Sequence, residues 1–145
     1  MCGTAAGLAA LALGAPHRAR SADYPVTIAA MRSGRDAEAL VVAHYLAYGH
    51  RACREGYRGV AYLFAAVAAS EQVHANNFAR LLAKLGAAEP TTPPPAVTVD
   101  TTKKNLLRAA GGELHSIETF YPDLLERIRA EAFDEAIRIV QWAWK

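Results

Sequence analysis

Several signals are scarce or missing in this chain, and each absence removes a class of protein. Cysteine is nearly absent: Cys2 and Cys53 are the only two in 145 residues, with no C-x-x-C step. That excludes a four-cysteine iron centre, a zinc ribbon and a thioredoxin-like redox pair within the sequence. Cys53 falls in a helical stretch and is expected as a small core or interface residue rather than a reactive thiol. Neither sign of charge is in excess. Sixteen Lys and Arg stand against fourteen Asp and Glu, a net +2, which is too little to argue for a nucleic-acid partner. No apolar run reaches the roughly 20 residues that a spanning helix needs, so no stable membrane anchor is expected. Val, Ile and Thr are sparse in the middle of the sequence while alanine is frequent, which favours helices over sheets.

The first 22 residues differ from the rest. Ala5 to Pro16 (AAGLAALALGAP) is a short apolar run, followed by the small residues Ala19-Arg20-Ser21-Ala22. The run has the length of a signal h-region, although no basic segment precedes Cys2. Residues 1–22 are therefore read as an export signal, with a disordered or poorly packed tail as the alternative. The first reading places the protein in the periplasm or outside the cell, the second in the cytoplasm. Cleavage after Ser21 or Ala22 would leave a chain starting near Asp23-Tyr24-Pro25. Residues 23–145 are read as one domain, since a chain of this length supports one sizeable core.

From Val26 onward, apolar residues recur at helical spacing. A first helix is expected from Thr27 to Glu55, with Glu38, Val41, Val42, Tyr45, Tyr48 and Ala52 on one stripe. Gly56 punctuates it. A second helix follows from Arg58 to Leu85, carrying Phe64, Val67, Glu71, His74, Phe78 and Leu82, and Gly86 stops it. Ala87 to Asp100 (AAEPTTPPPAVTVD) has four prolines and no helical period, so it is a connection. Its length is informative. The second helix, at ~1.5 Å per residue, is about 40 Å long, and fourteen extended residues reach about 46 Å. The connection can travel the whole bundle, so the third helix starts parallel to the second. Such a long crossover marks the ferritin-like topology among four-helix bundles. The third helix is capped by Asp100, Thr101 or Thr102 and carries Leu106, Ala110, Glu113, Ile117, Phe120, Tyr121, Leu124 and Ile128. Pro122 inside it should bend it. A short fourth helix runs from Phe133 to Lys145. The fold class is thus all-α: a ferritin-like four-helix bundle with one long crossover between its second and third helices.

Three of these stripes carry a carboxylate where an apolar side chain is expected: Glu38, Glu71 and Glu113. An unpaired buried carboxylate costs several kcal/mol, so each needs a cation, a proton or a hydrogen-bond partner. Glu71 and His74 stand at i and i+3 and project from one face, the Glu-x-x-His step that gives a di-metal site one carboxylate and one imidazole. A lone E-x-x-H is a weak signal, and for His74 alone a hydrogen-bonded core histidine is the simpler reading. Glu38 and Glu113 on matching stripes favour a metal ion between the helices. His44, His50 and His115 lack such a partner and are expected at the surface or behind the ligands. Glu118 falls off the stripe and is expected in solvent.

The sequence also repeats itself. Glu55-Gly56-Tyr57-Arg58-Gly59-Val60-Ala61 parallels Glu131-Ala132-Phe133-Asp134-Glu135-Ala136-Ile137, and Glu38 parallels Glu113, both at an offset of about 75. The chain therefore reads as two copies of one helical hairpin. Carried forward by that offset, Glu71 and His74 land just past Lys145.

Glu38, Tyr45, Glu55-Gly56-Tyr57, Glu71 to His74 within AYLFAAVAASEQVHANNF, Gly112-Glu113 and Tyr121-Pro122 together resemble the di-iron domain of rubrerythrins, from about Ala29 to Lys145. The resemblance implies Glu38, Glu71, His74 and Glu113 as ligands of two iron or manganese ions. It also implies that Tyr45 and Tyr121 hydrogen-bond to ligand carboxylates. Ser116 stands where the family usually has a further glutamate, and the family's final E-x-x-H and its rubredoxin domain have no counterpart in the sequence. The function so implied is an oxidoreductase that reduces hydrogen peroxide or oxidises ferrous iron, drawing on an external electron donor such as a rubredoxin-like protein. The alternative is a non-catalytic ferritin-like scaffold with an incomplete site, acting through oligomerisation. The short fourth helix would leave an apolar groove that a homodimer could cover.

Overall fold

The computed structural model describes residues 21–89, 93 and 96–145. Most of the candidate export signal, residues 1–20, lies outside the described residues. After a 3-10 turn at Ser21–Asp23, helix α1 spans Pro25–Arg54 and α2 spans Arg58–Lys84. Both were expected within two residues of these bounds. Proline suits the first turn of α1 because its missing N–H would have had no helical partner. The two stops are glycines with positive φ, Gly56 at 85° and Gly86 at 71°, a conformation that side chains with a Cβ resist. Among the described residues no helix is long and apolar enough to cross a membrane.

Hydrogen bonds fix the crossover. α3 (Thr102–His115) starts with the Thr101 hydroxyl accepting from the Lys104 amide at 3.4 Å. The Thr102 amide donates to Glu55 Oε2 at 2.9 Å. The chain thus leaves α2 at its Gly86 end and begins α3 at the opposite end, beside the α1–α2 turn. α3 is parallel to α2 and antiparallel to α1, as the connection length predicted.

The expected third helix is not one helix. α3 ends at His115, a π-helical turn occupies Ser116–Phe120, and α4 runs Tyr121–Ile128 into a 3-10 turn at Arg129–Glu131. Pro122 explains the position of the π turn better than a simple bend does. The Tyr121 amide donates back five residues to Ser116, and Pro122 has no N–H to offer. The Ile117 carbonyl receives the indole N–H of Trp144 instead, at 2.9 Å. Ala132 then turns the chain at φ 49°, and α5 spans Asp134–Trp144.

The core has two parts. At one end all four layers meet, and Met31, Phe78, Leu82, Leu124, Ile128 and Val140 are wholly or almost wholly buried. Gly34 allows this. A Cβ there would sit 2.8 Å from the Phe78 ring, so α1 and α2 approach closely only without one. At the other end Tyr45, Tyr48, Phe64 and Ala68 form a smaller cluster between α1 and α2. At this end Leu63 and Leu107 stay 51% and 65% exposed. Cys53, expected in the core or at an interface, is exposed.

Candidate metal centre

Between the two core clusters the apolar stripes are interrupted by carboxylates. Glu38 is held on α1 and is 4% exposed. Burial pushes its carboxyl up to about 7; the Tyr121 hydroxyl, which donates to Glu38 Oε1, acts against this, and neighbouring Glu71 adds to it. A buried acid left ionised at neutral pH needs a positive charge close by.

Glu71 and His74 project from α2 toward Glu38. His74 Nδ1 lies 2.8 Å from Glu71 Oε2 and 3.9 Å from Glu38 Oε1. The bond to Glu71 holds the imidazole pKa above its usual value, against the opposing effect of burial. One donor atom each from Glu38, Glu71 and His74 fit within 4.8 Å of one another. Two carboxylates and an imidazole at that spacing suit a divalent iron or manganese ion, which takes mixed oxygen and nitrogen donors. The donor set and the desolvated Glu38 therefore fit a metal.

Glu113 departs from expectation. It faces this group from α3, with its Oε1 accepting from the Tyr45 hydroxyl, but it is exposed rather than buried. Among the described residues α5 packs on α1, α2 and α4, and the stretch of α3 that carries Glu113 is exposed. Tyr45 and Tyr121 both have hydroxyl pKa values above the ordinary range, first because of burial and then because of the carboxylates they face. They remain neutral donors.

The internal repeat is visible in these contacts. Tyr45 and Tyr121 are repeat equivalents, as are Glu113 and Glu38. The bond from Tyr45 to Glu113 is thus the pseudo-symmetric image of the bond from Tyr121 to Glu38. The turns behave likewise. Glu131 accepts from the Val26 and Thr27 amides at the start of α1, at 2.9 and 2.7 Å, as Glu55 does from Thr102 at the start of α3. Each hairpin's turn caps the other hairpin's first helix.

A cavity of about 520 Å³ opens over the group, with Glu38, Glu71, His74 and Glu113 on its walls and His44, Arg108, His115 and Trp144 also lining it. His44 is half-buried, with Nδ1 2.9 Å from the Leu40 carbonyl. His50 and Glu118 are exposed, as expected. Sequence reasoning missed the two tryptophans as parts of the site. Trp144 lines the cavity, and Trp142 stands edge-on to His74 with ring centroids 5.3 Å apart. Their spacing on a short terminal helix carried no signal, because their partners come from α2 and from an irregular turn.

Four helical layers joined by one long crossover, with carboxylates and a histidine facing one another midway, define a ferritin-like bundle. The sequence profile of the Rubrerythrin family matches residues 35–145, and the chain belongs to that family. It is 34% identical over 114 residues to rubrerythrin-2 of Clostridium acetobutylicum, covering 78% of this chain and 61% of that protein. It is 29% identical over 99 residues to nigerythrin of Nitratidesulfovibrio vulgaris, covering 67% and 48%. Against rubrerythrin of the same organism it is 30% identical over 95 residues, covering 66% and 49%. The chain thus spans about half to three fifths of the length of these relatives. No solved structure matches it significantly.

Proposed function

We propose that the protein is a di-metal oxidoreductase that reduces hydrogen peroxide, or oxidises ferrous iron, with electrons from an external protein donor. The observation that carries this is the convergence of Glu38, Glu71 and His74 within 4.8 Å beneath an open cavity. Glu38, Glu71 and His74 make the donor set of one ion, and Glu113 on α3, held by Tyr45 of α1, is the donor for a second. When bound, two iron or manganese ions would supply the redox electrons that split the O–O bond. The chain's own residues do the rest. Tyr121 and Tyr45 fix one oxygen each of Glu38 and Glu113, which leaves the other oxygen aimed. The bond between Glu71 and His74 orients the imidazole. The cavity admits a molecule as small as peroxide without rearrangement. A homodimer covering the exposed face of α3 would shield the site from bulk water.

A second reading keeps the bundle but not the ions. It draws on Glu38 itself, which can remain protonated near neutral pH and bonded to Tyr121 with no cation present. Metal analysis of natively purified protein separates the two. About two iron or manganese per chain, oxidised on adding peroxide, is the outcome the first reading requires. A value near zero removes it. Under the second reading Glu71→Ala would stabilise the protein by deleting a half-buried acid.

A further inference from the structure

Trp142 has two faces that the proposed chemistry leaves unused. On its inner side the indole makes its edge contact with His74, at 5.3 Å between centroids and 78° between planes. On its outer side it is 52% exposed, in a shallow surface depression shared with Asn77, Arg138, Ile139 and Gln141. No other aromatic ring among the described residues contacts His74. Trp142 thus joins the surface depression to the imidazole of the candidate centre.

The surroundings say what could dock there. Glu135, the acid at the rim, is already paired with Lys84. Arg138 lines the depression, and Arg80 is held over its edge by a 3.1 Å bond to Asn77. An apolar centre of Trp142 and Ile139 beside Arg138 and Arg80, neither of which forms an ion pair among the described residues, is the pattern of a small hot spot for an acidic partner.

We propose that Trp142 is the point at which electrons enter the site, and that the depression around it docks an acidic iron–sulfur protein that donates one electron at a time. This rests on the metal-centre reading above. In each transfer the donor's iron loses one electron, and a trivalent metal held by His74 gains it and becomes divalent. The indole bridges the two as an unaltered π system, and no proton moves through it. Two such transfers return the pair of electrons that, together with two protons taken from solvent through the open cavity, the reduction of one peroxide to two waters consumes. Trp142 acts through His74 and is in that sense a positioning residue for the electron, not a group that touches peroxide.

The test uses metal-loaded full chain, oxidised with peroxide, and follows re-reduction anaerobically with a rubredoxin as protein donor and with dithionite as a small donor. In Trp142→Leu the ratio of rubredoxin-driven to dithionite-driven rates falls by about an order of magnitude, with Trp142→Phe between the two. Arg138→Glu raises the rubredoxin concentration needed for half-maximal rate, more at low salt than at high. A separate readout needs no turnover. Cobalt(II) bound to the metal-free protein quenches tryptophan fluorescence in the wild type, and most of that quench is lost in Trp142→Phe at unchanged cobalt affinity. If cobalt binds but the rate ratio and the quench in both Trp142 variants equal those of the wild type, the entry point lies elsewhere and only this inference fails. If cobalt does not bind to the wild type, the metal-centre reading fails with it.

Discussion

The first hairpin turns at Gly56 with φ 85°, and the second turns at Ala132 with φ 49°. The same carboxylate precedes each turn, and each caps the helix that opens the other hairpin. Each hairpin also lends one tyrosine to the other's glutamate. What differs is instructive. α1 passes its tyrosine in an unbroken helix and keeps Glu38 buried, whereas the α3–α4 stretch needs a π turn to present Tyr121 and leaves Glu113 in solvent. A repeated sequence thus reproduced its polar cross-links faithfully and its packing only in part. Cross-links depend on one or two atoms, while burial depends on what covers the face.

The largest effect expected is at Glu71 and His74, the donors that α2 supplies. Glu71→Ala should weaken metal binding by more than the roughly 10–100-fold that losing a ligand's hydrogen-bond partner costs, read by competition with a chelator. Tyr45→Phe and Tyr121→Phe should each fall within that range, and equal losses would support the pseudo-symmetry of the two bonds.

Next in size is the difference between Glu38 and Glu113. The folded-state pKa of Glu38 is raised to about 7, so the folded protein binds more protons than the unfolded chain between the ordinary carboxylate range and about pH 7. In chelator-stripped protein this group's contribution is therefore fully present at low pH and is lost as pH rises through 7, on the order of 1–3 kcal/mol. Urea melts at pH 5 and pH 8 should show that slope. Glu38→Gln should flatten it.

The two caps differ less. Glu131 serves two amides and Glu55 serves one, so Glu131→Gln should cost about 1 kcal/mol and Glu55→Gln less. Burial alone would raise the Glu131 pKa, but the Thr27 and Val26 amides outweigh it and the net shift is downward. Its contribution is therefore present above the usual carboxylate range and fades as pH falls through its depressed folded pKa. Thermal melts of both variants across pH 3–7 would show this, in the opposite sense to Glu38. The smallest effect sharpens the comparison instead of breaking it. Ala132→Gly makes the second turn like the first and should stabilise by roughly 0.5–1 kcal/mol, measured as a rise in the urea midpoint.

Much of this architecture could be read from residue order. Gly56 and Gly86 stop helices because an extended apolar period ends at a residue free to take positive φ, and Thr101 caps because its hydroxyl precedes the third period. The convergence of Glu38, Glu71 and His74 followed from stripe positions alone. The exposure of Glu113 did not. The stripe from Leu106 to Ile128 assumes one constant turn per 3.6 residues, but the π turn at Ser116–Phe120 inserts a residue and shifts the phase by about 100°. Residues beyond it (Tyr121, Leu124, Ile128) stay inside, while Glu113 before it and Ile117 within it do not. The contact of Trp142 with His74 was equally hidden, since it joins helices whose relative position no local pattern encodes.

The bond from the Trp144 indole to the Ile117 carbonyl acts as a detent on α5. Apolar helix faces tolerate sliding by a turn, because one ridge of side chains resembles the next. A carbonyl orphaned by Pro122 exists at one height only, and an indole two residues from Trp142 meets it. The axial setting of α5, and with it the distance of Trp142 from His74, is thus pinned by a polar notch that slippery packing could not provide.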